Sequence, residues 1–165
     1  MLRPCLTMGV YQIDKLMGEA RRLAAEYRRA TGKTLAISGE IAISDAISLL
    51  GLEPAPGNAE GYDAVRRLDA GIEKVQVKAR TVFDDTRRPH RLGQLKLDKD
   101  WDVVLLVLMD ENYEPVEIHE AHRAPLETAL AEATPNKRGT VSVGRFKMLG
   151  CCLWSRENAA DIGPR

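Results

Sequence analysis

Seven consecutive residues, Val103-Val104-Leu105-Leu106-Val107-Leu108-Met109, carry no polar side chain. A strand with one wet face alternates apolar and polar residues, so a run with no polar face has to be covered on both sides. The run is well short of the ~18 residues that cross a bilayer. It predicts a central strand in a sheet covered front and back. Asp110-Glu111-Asn112-Tyr113 then turns the chain into Pro115-Val116-Glu117-Ile118-His119-Glu120-Ala121. Its alternation predicts a neighbouring, more exposed strand with Val116 and Ile118 inward.

The chemistry is concentrated upstream, between Gly61 and Arg80. Gly61-Tyr62-Asp63-Ala64-Val65 and Ile72 to Arg80 read as two strands, with Leu68-Asp69-Ala70-Gly71 as the hairpin turn between them. Strand residues i and i+2 share a face, so Lys74, Gln76, Lys78 and Arg80 point one way and Val75, Val77 and Ala79 the other. The hairpin lays the Asp63 strand beside Gln76 and Lys78. Two oxygen ligands and an ammonium at one spot suit a divalent cation and a water attacking a phosphodiester. The plainer reading of Asp63 and Lys78 is a cross-strand charge pair.

Asp63 followed by Gln76-Val77-Lys78 resembles the active-site motif of the PD-(D/E)XK nuclease superfamily, an Asp and then (D/E)-X-K on the next strand. Gln76 stands where an acid is usual, and its neutral amide oxygen is the weaker ligand. The runs Gly61 to Val65, Val75 to Arg80 and Trp101 to Asp110 look like a group of small bacterial proteins assigned to that fold. The resemblance covers about Ser38 to Trp154. It implies a restriction-endonuclease-like α/β core, with a mixed sheet of four to five strands flanked by helices. It also implies a metal-dependent DNA endonuclease, in which Asp63, Gln76, Glu40 and the Val77 carbonyl hold Mg2+ or Mn2+ and Lys78 works on the attacking water. A Glu on the helix before the motif strands often joins the metal in that superfamily, and Glu40 is the residue that resembles it. Its other reading is a first-turn carboxylate that favours the helix dipole. The rival expectation is a nuclease-like fold without chemistry that binds nucleic acid or protein. An immunity or inhibitor protein sharing only the sheet is a third.

The remaining elements follow from periodicity. Ile13, Leu16, Met17, Leu23, Ala24 and Tyr27 recur at helical spacing between about Tyr11 and Ala30. Ser38 stands where an N-cap belongs, before a helix with Ile43, Ile47 and Leu50 on its buried stripe, ended by Gly51. The stretch from Thr34 to Glu53 has the outline of a helix-turn-helix, but its second helix offers Ile, Ala and Leu where base-reading side chains are needed. Leu52 to Glu60 reads as a loop. Thr81 to Lys96 reads as a polar excursion; with Arg80, its Arg87, Arg88, Arg91 and Lys96 are the candidate phosphate-contacting residues. Glu117 and His119 share a strand face and could hold a metal, or be solvated. A helix over Leu126 to Ala133, a Ser142-capped helix over Val143 to Leu149, a strand over Gly150 to Trp154 and a fraying tail complete the order.

These elements fit one domain across residues 1–165: an N-terminal helix to 33, a core over 34–154 and a tail over 155–165. The 24 basic and 24 acidic side chains balance, so a DNA-binding surface has to be a local patch. Cys5, Cys151 and Cys152 offer no disulfide framework and no zinc spacing; Cys151 and Cys152 read as small fillers of a buried strand. With no export signal and no membrane span, a reducing cytoplasm is the expected setting. Cutting both strands of a duplex would take two copies, and a twofold dimer is the commonest assembly.

Overall fold

The computed structural model describes residues 10–83, 90–132 and 140–160. The elements run α1 (Val10–Thr31), α2 (Ser38–Leu50), β1 (Glu53–Pro54), β2 (Ala64–Leu68), β3 (Gly71–Thr81), β4 (Val103–Met109), β5 (Pro115–His122), α3 (Arg123–Ala131), α4 (Val143–Leu149), β6 (Cys151–Ser155) and α5 (Arg156–Ala160). These strands form one six-stranded sheet in sequence order. Among them β3 and β4 run parallel, and the other neighbours are antiparallel. The sheet is therefore mixed, as expected. It has one strand more than four to five, because Glu53 and Pro54 of the expected loop pair with Val65 and Ala64. Pro54 is tolerated there because β1 is an edge, where a missing N–H breaks no ladder.

Every residue of β4 is buried. Its Val103, Leu105, Val107 and Met109 meet α1 and α2 through Ala24, Ala25, Ile41, Ala42 and Ala46. Its Val104, Leu106 and Leu108 meet Leu92, Leu95, Trp101, Leu126 and Phe146 from the excursion, α3 and α4. The sheet is thus the middle of three layers, and the period-two alternation of β4 divides the core between them.

Several local expectations are corrected. Ser38 is the first residue of α2; Ile37 holds the cap position and no side chain caps it. Ser142 does cap α4, accepting from the Arg145 amide. His119, Glu120 and Ala121 of β5 are buried, because β6 pairs with the outer edge of β5 and α4 packs over it. Cys151 and Cys152 are exposed, since β6 is itself an edge, and Cys5 lies outside the described residues. Residues 156–160 form α5 in place of a frayed tail, with Arg156 bonded to the Pro115 carbonyl and to Asp110. The excursion after β3 is anchored over 90–102 by buried Leu92, Leu95 and Trp101. Among the described residues, no helix is long and apolar enough to cross a membrane.

Candidate functional site

The β2–β3 hairpin turns at Asp69-Ala70, with Leu68 paired to Gly71 and Ala64 to Val75. Asp63 immediately precedes β2, and its amide donates to the Val75 carbonyl at 2.8 Å, the last backbone bond to β3 on that side. Beyond that point β3 has no described strand on that side. Residues of β3 alternate in the edge they address, and the Lys74 carbonyl accepts from the Asp102 amide on the β4 side. The odd-numbered residues therefore address the vacated β2 side. There the Asp63 carboxylate accepts from the Val77 amide at 2.7 Å, substituting for the missing ladder bond. The Val77 carbonyl faces the same way, because the N–H and C=O of one extended residue point together.

Gln76 is almost completely buried. Its Nε2 donates to the Gly61 carbonyl at 2.8 Å. Only the NH2 end can donate to a carbonyl, so this bond fixes which way the amide points. The other end, Oε1, is buried with no hydrogen-bond partner among the described residues. Gly61 has φ 92 and lies so close to Lys99 that a Cβ would overlap that side chain, so only glycine suits the position.

Lys78 shares the face of Gln76 and donates to the Gln94 carbonyl at 2.9 Å, which ties the excursion over the site. Burial pushes its ammonium below the usual lysine range; Asp63 opposes that and nearby Lys96 reinforces it. Arg80 lies one step further along that face. Burial lowers its pKa too, and its Nε is buried with no partner among the described residues. Two cations thus sit half-buried on one sheet face, and Asp63 is the acid that offsets the burial of Lys78.

The structure therefore brings Asp63, Gln76, Val77 and Lys78 together. Glu40 is apart from them: it is exposed in the first turn of α2, whose inward residues cover the opposite face of the sheet. Among the described residues, no three His, Cys, Asp or Glu side chains converge as metal ligands. Arg91 is held by Thr140 through its Nε at 2.8 Å and Nη2 at 2.7 Å, so its guanidinium is occupied. Lys96 is exposed, and Arg87 and Arg88 lie outside the described residues. Glu117 and His119 do meet, at 2.7 Å, but Lys147 reaches Glu117 at 2.5 Å and supplies the positive charge a metal would bring. Lys147 and His119 hold the Glu117 carboxyl below its usual range.

Sequence reasoning missed two parts of the site. Gly61 had a signal, a glycine two residues before the key acid. The Gln94 carbonyl had none, because a backbone oxygen delivered by a long excursion leaves no pattern in residue types. Comparison with protein-family models finds no match, and comparison with curated proteins finds none.

Proposed function

We propose that this protein is a metal-dependent phosphodiesterase acting on DNA, with Asp63, the Gln76 amide oxygen and the Val77 carbonyl as ligands of Mg2+ or Mn2+. The observation that carries the proposal is the Gln76 side-chain oxygen, buried with no hydrogen-bond partner among the described residues, on a strand whose next residue, Val77, holds the Asp63 carboxylate. Leaving such an oxygen unsatisfied costs about 1–3 kcal/mol, which a cation or donor would recover. One carboxylate and two neutral oxygens are hard ligands and fit these ions. With a single formal charge the set would bind weakly alone, and substrate phosphate oxygens would complete it. When bound, the ion would supply Lewis acidity to the phosphate and to a water. Lys78, with its lowered pKa and its aim fixed by Gln94, would orient and deprotonate that water and then stabilise charge on the phosphorane. Lys96 and Arg80 would contribute phosphate affinity against the neutral background of the whole chain. Exposed thiols at Cys151 and Cys152 suit a reducing cytoplasm.

A second reading has its own support: the Asp63 carboxylate already completes the sheet, and no second acid joins it in a ligand cluster among the described residues. On that reading the fold binds nucleic acid or protein without cutting it. Cleavage of plasmid and oligonucleotide DNA with Mn2+, by the wild type and by Asp63→Asn and Lys78→Met, separates the two. Nicking lost in both variants supports the enzyme. Equal nicking in all three exposes a contaminant and, with no Mn2+ binding by calorimetry, leaves the binding module.

A further inference from the structure

Apolar residues of α1 off its packed face follow a strict rule; Ile13, Leu16, Leu23 and Ala30 among them are exposed, and Ala20 and Tyr27 are half-buried. Ile13, Leu16, Ala20, Leu23, Tyr27 and Ala30 are spaced 3, 4, 3, 4 and 3 residues apart, which is the a/d seam of a coiled coil. The seam is distinct from the face that packs inward, which is built on Ala24 and Ala25. Ile13, Leu16 and Leu23 are 45%, 46% and 57% exposed, and they lie on one side of the helix.

We propose that this seam is the contact between two copies of the chain, paired in parallel through α1. Charge selects the orientation. With Ile13 at a, Glu19 and Glu26 are the g positions that border the seam. An antiparallel pair sets g against g and brings these acids together. A parallel pair sets g against the partner copy's e edge, here the positions of Ala24 and Thr31, with that of Arg28 just beyond. Body placement agrees, because the e edge is the side on which α1 meets its own core. Parallel pairing puts the two bodies on opposite sides of the seam; antiparallel pairing crowds them onto one.

The size of the contact fixes its strength. A helix of 22 residues is about 33 Å long, and at a width of roughly 10 Å the strip covers about 350 Å² per copy. The pair therefore buries roughly 700 Å², below the ~1,200 Å² at which stable interfaces begin. The dimer is weak, reversible and dependent on concentration.

Sedimentation velocity over about two decades of protein concentration tests it. The wild type is expected to shift from monomer towards dimer. The double variant Leu16→Glu with Leu23→Glu is expected to stay monomeric with unchanged circular dichroism, since both side chains are about half exposed in the monomer and neither belongs to the buried core. Ile13→Glu, on the turns that make least contact with the body, is the reserve if the double variant misfolds. Ile13→Cys, with Cys5, Cys151 and Cys152 replaced by Ser, is expected to give a disulfide-linked dimer on oxidation, because a faces a only in a parallel pair. A wild type that stays monomeric throughout, or a dimer that survives in the folded seam variants, overturns the proposal. A seam-dependent dimer in which Ile13→Cys fails to cross-link overturns the parallel arrangement.

Discussion

The Asp63 carboxylate sits 2.7 Å from the Val77 amide and replaces the strand bond that β2 no longer provides. A side chain aligned with a metal-ligand motif is thus also a structural acceptor, and an alanine substitution removes both roles together. Asp63→Ala is expected to lower stability by about 1–3 kcal/mol, the cost of a buried donor left unpaired. Asp63→Asn keeps an acceptor oxygen and is expected to stay within about 1 kcal/mol of wild type. Urea unfolding of both variants checks this, and the asparagine variant is then the one to use in metal titrations.

Lys78 titrates below the usual lysine range because it is buried, and Asp63 restrains that shift. Its pKa followed by NMR of the side-chain carbons is expected below the ordinary ~10.4 in the wild type, and lower again in Asp63→Asn. The sign for stability follows. Between the lowered folded value and the unfolded value the unfolded chain binds more protons, so stability rises with pH in that window. Lys78→Met is expected to remove that rise, which unfolding at pH values between about 8 and 10.5 measures.

How much of this was legible in the sequence depended on whether the cause was local. The run from Val103 to Met109 announced a strand buried on both faces, and the alternation from Ile72 to Arg80 correctly assigned Gln76 and Lys78 to one face. Both follow from a period of two. Glu40 carried no such constraint: its place on the helix was readable, but the side of the sheet that α2 would cover was not. The burial of His119 and the exposure of Cys151 likewise depend on β6 returning to pair with β5 from some thirty residues away. Residue types in β5 and β6 do not record that pairing. Glu117 and His119 were seen as a pair, whereas Lys147, which completes it, comes from α4.

The cluster of Glu117, His119 and Lys147 gives the fold an acid-sensitive contact. Lys147 and His119 depress the Glu117 pKa, so the stability it provides is fully present above the unfolded value of ~4.3 and is lost as pH falls through the lower folded value. Lys147→Met is expected to lower stability most near pH 7, where the contact is fully formed, and little below pH 3, so that the acid limb between about pH 5 and pH 3 is flattened. Urea midpoints across that range, compared between the two proteins, read this directly. An unaltered acid limb would place the acid sensitivity elsewhere in the chain.

Gln76→Glu separates the cation site from an ordinary polar core most sharply, because its two consequences have opposite signs. Without metal the substitution removes the donor to the Gly61 carbonyl, sets a carboxylate oxygen against it and adds a second negative charge near Asp63. A stability loss of about 2 kcal/mol or more is expected in EDTA. With Mn2+ the same carboxylate becomes a charged ligand in place of a neutral one, so binding should tighten and stability should recover as RT ln(1 + [L]/Kd). The wild type, with Asp63 alone charged, is expected to gain less from the same Mn2+. Thermal unfolding of both proteins in EDTA and in Mn2+ gives the four numbers required. If Mn2+ raises the midpoint of Gln76→Glu no more than that of the wild type, the orphaned Gln76 oxygen does not mark a cation site, and Asp63 is left with its role at the end of β2.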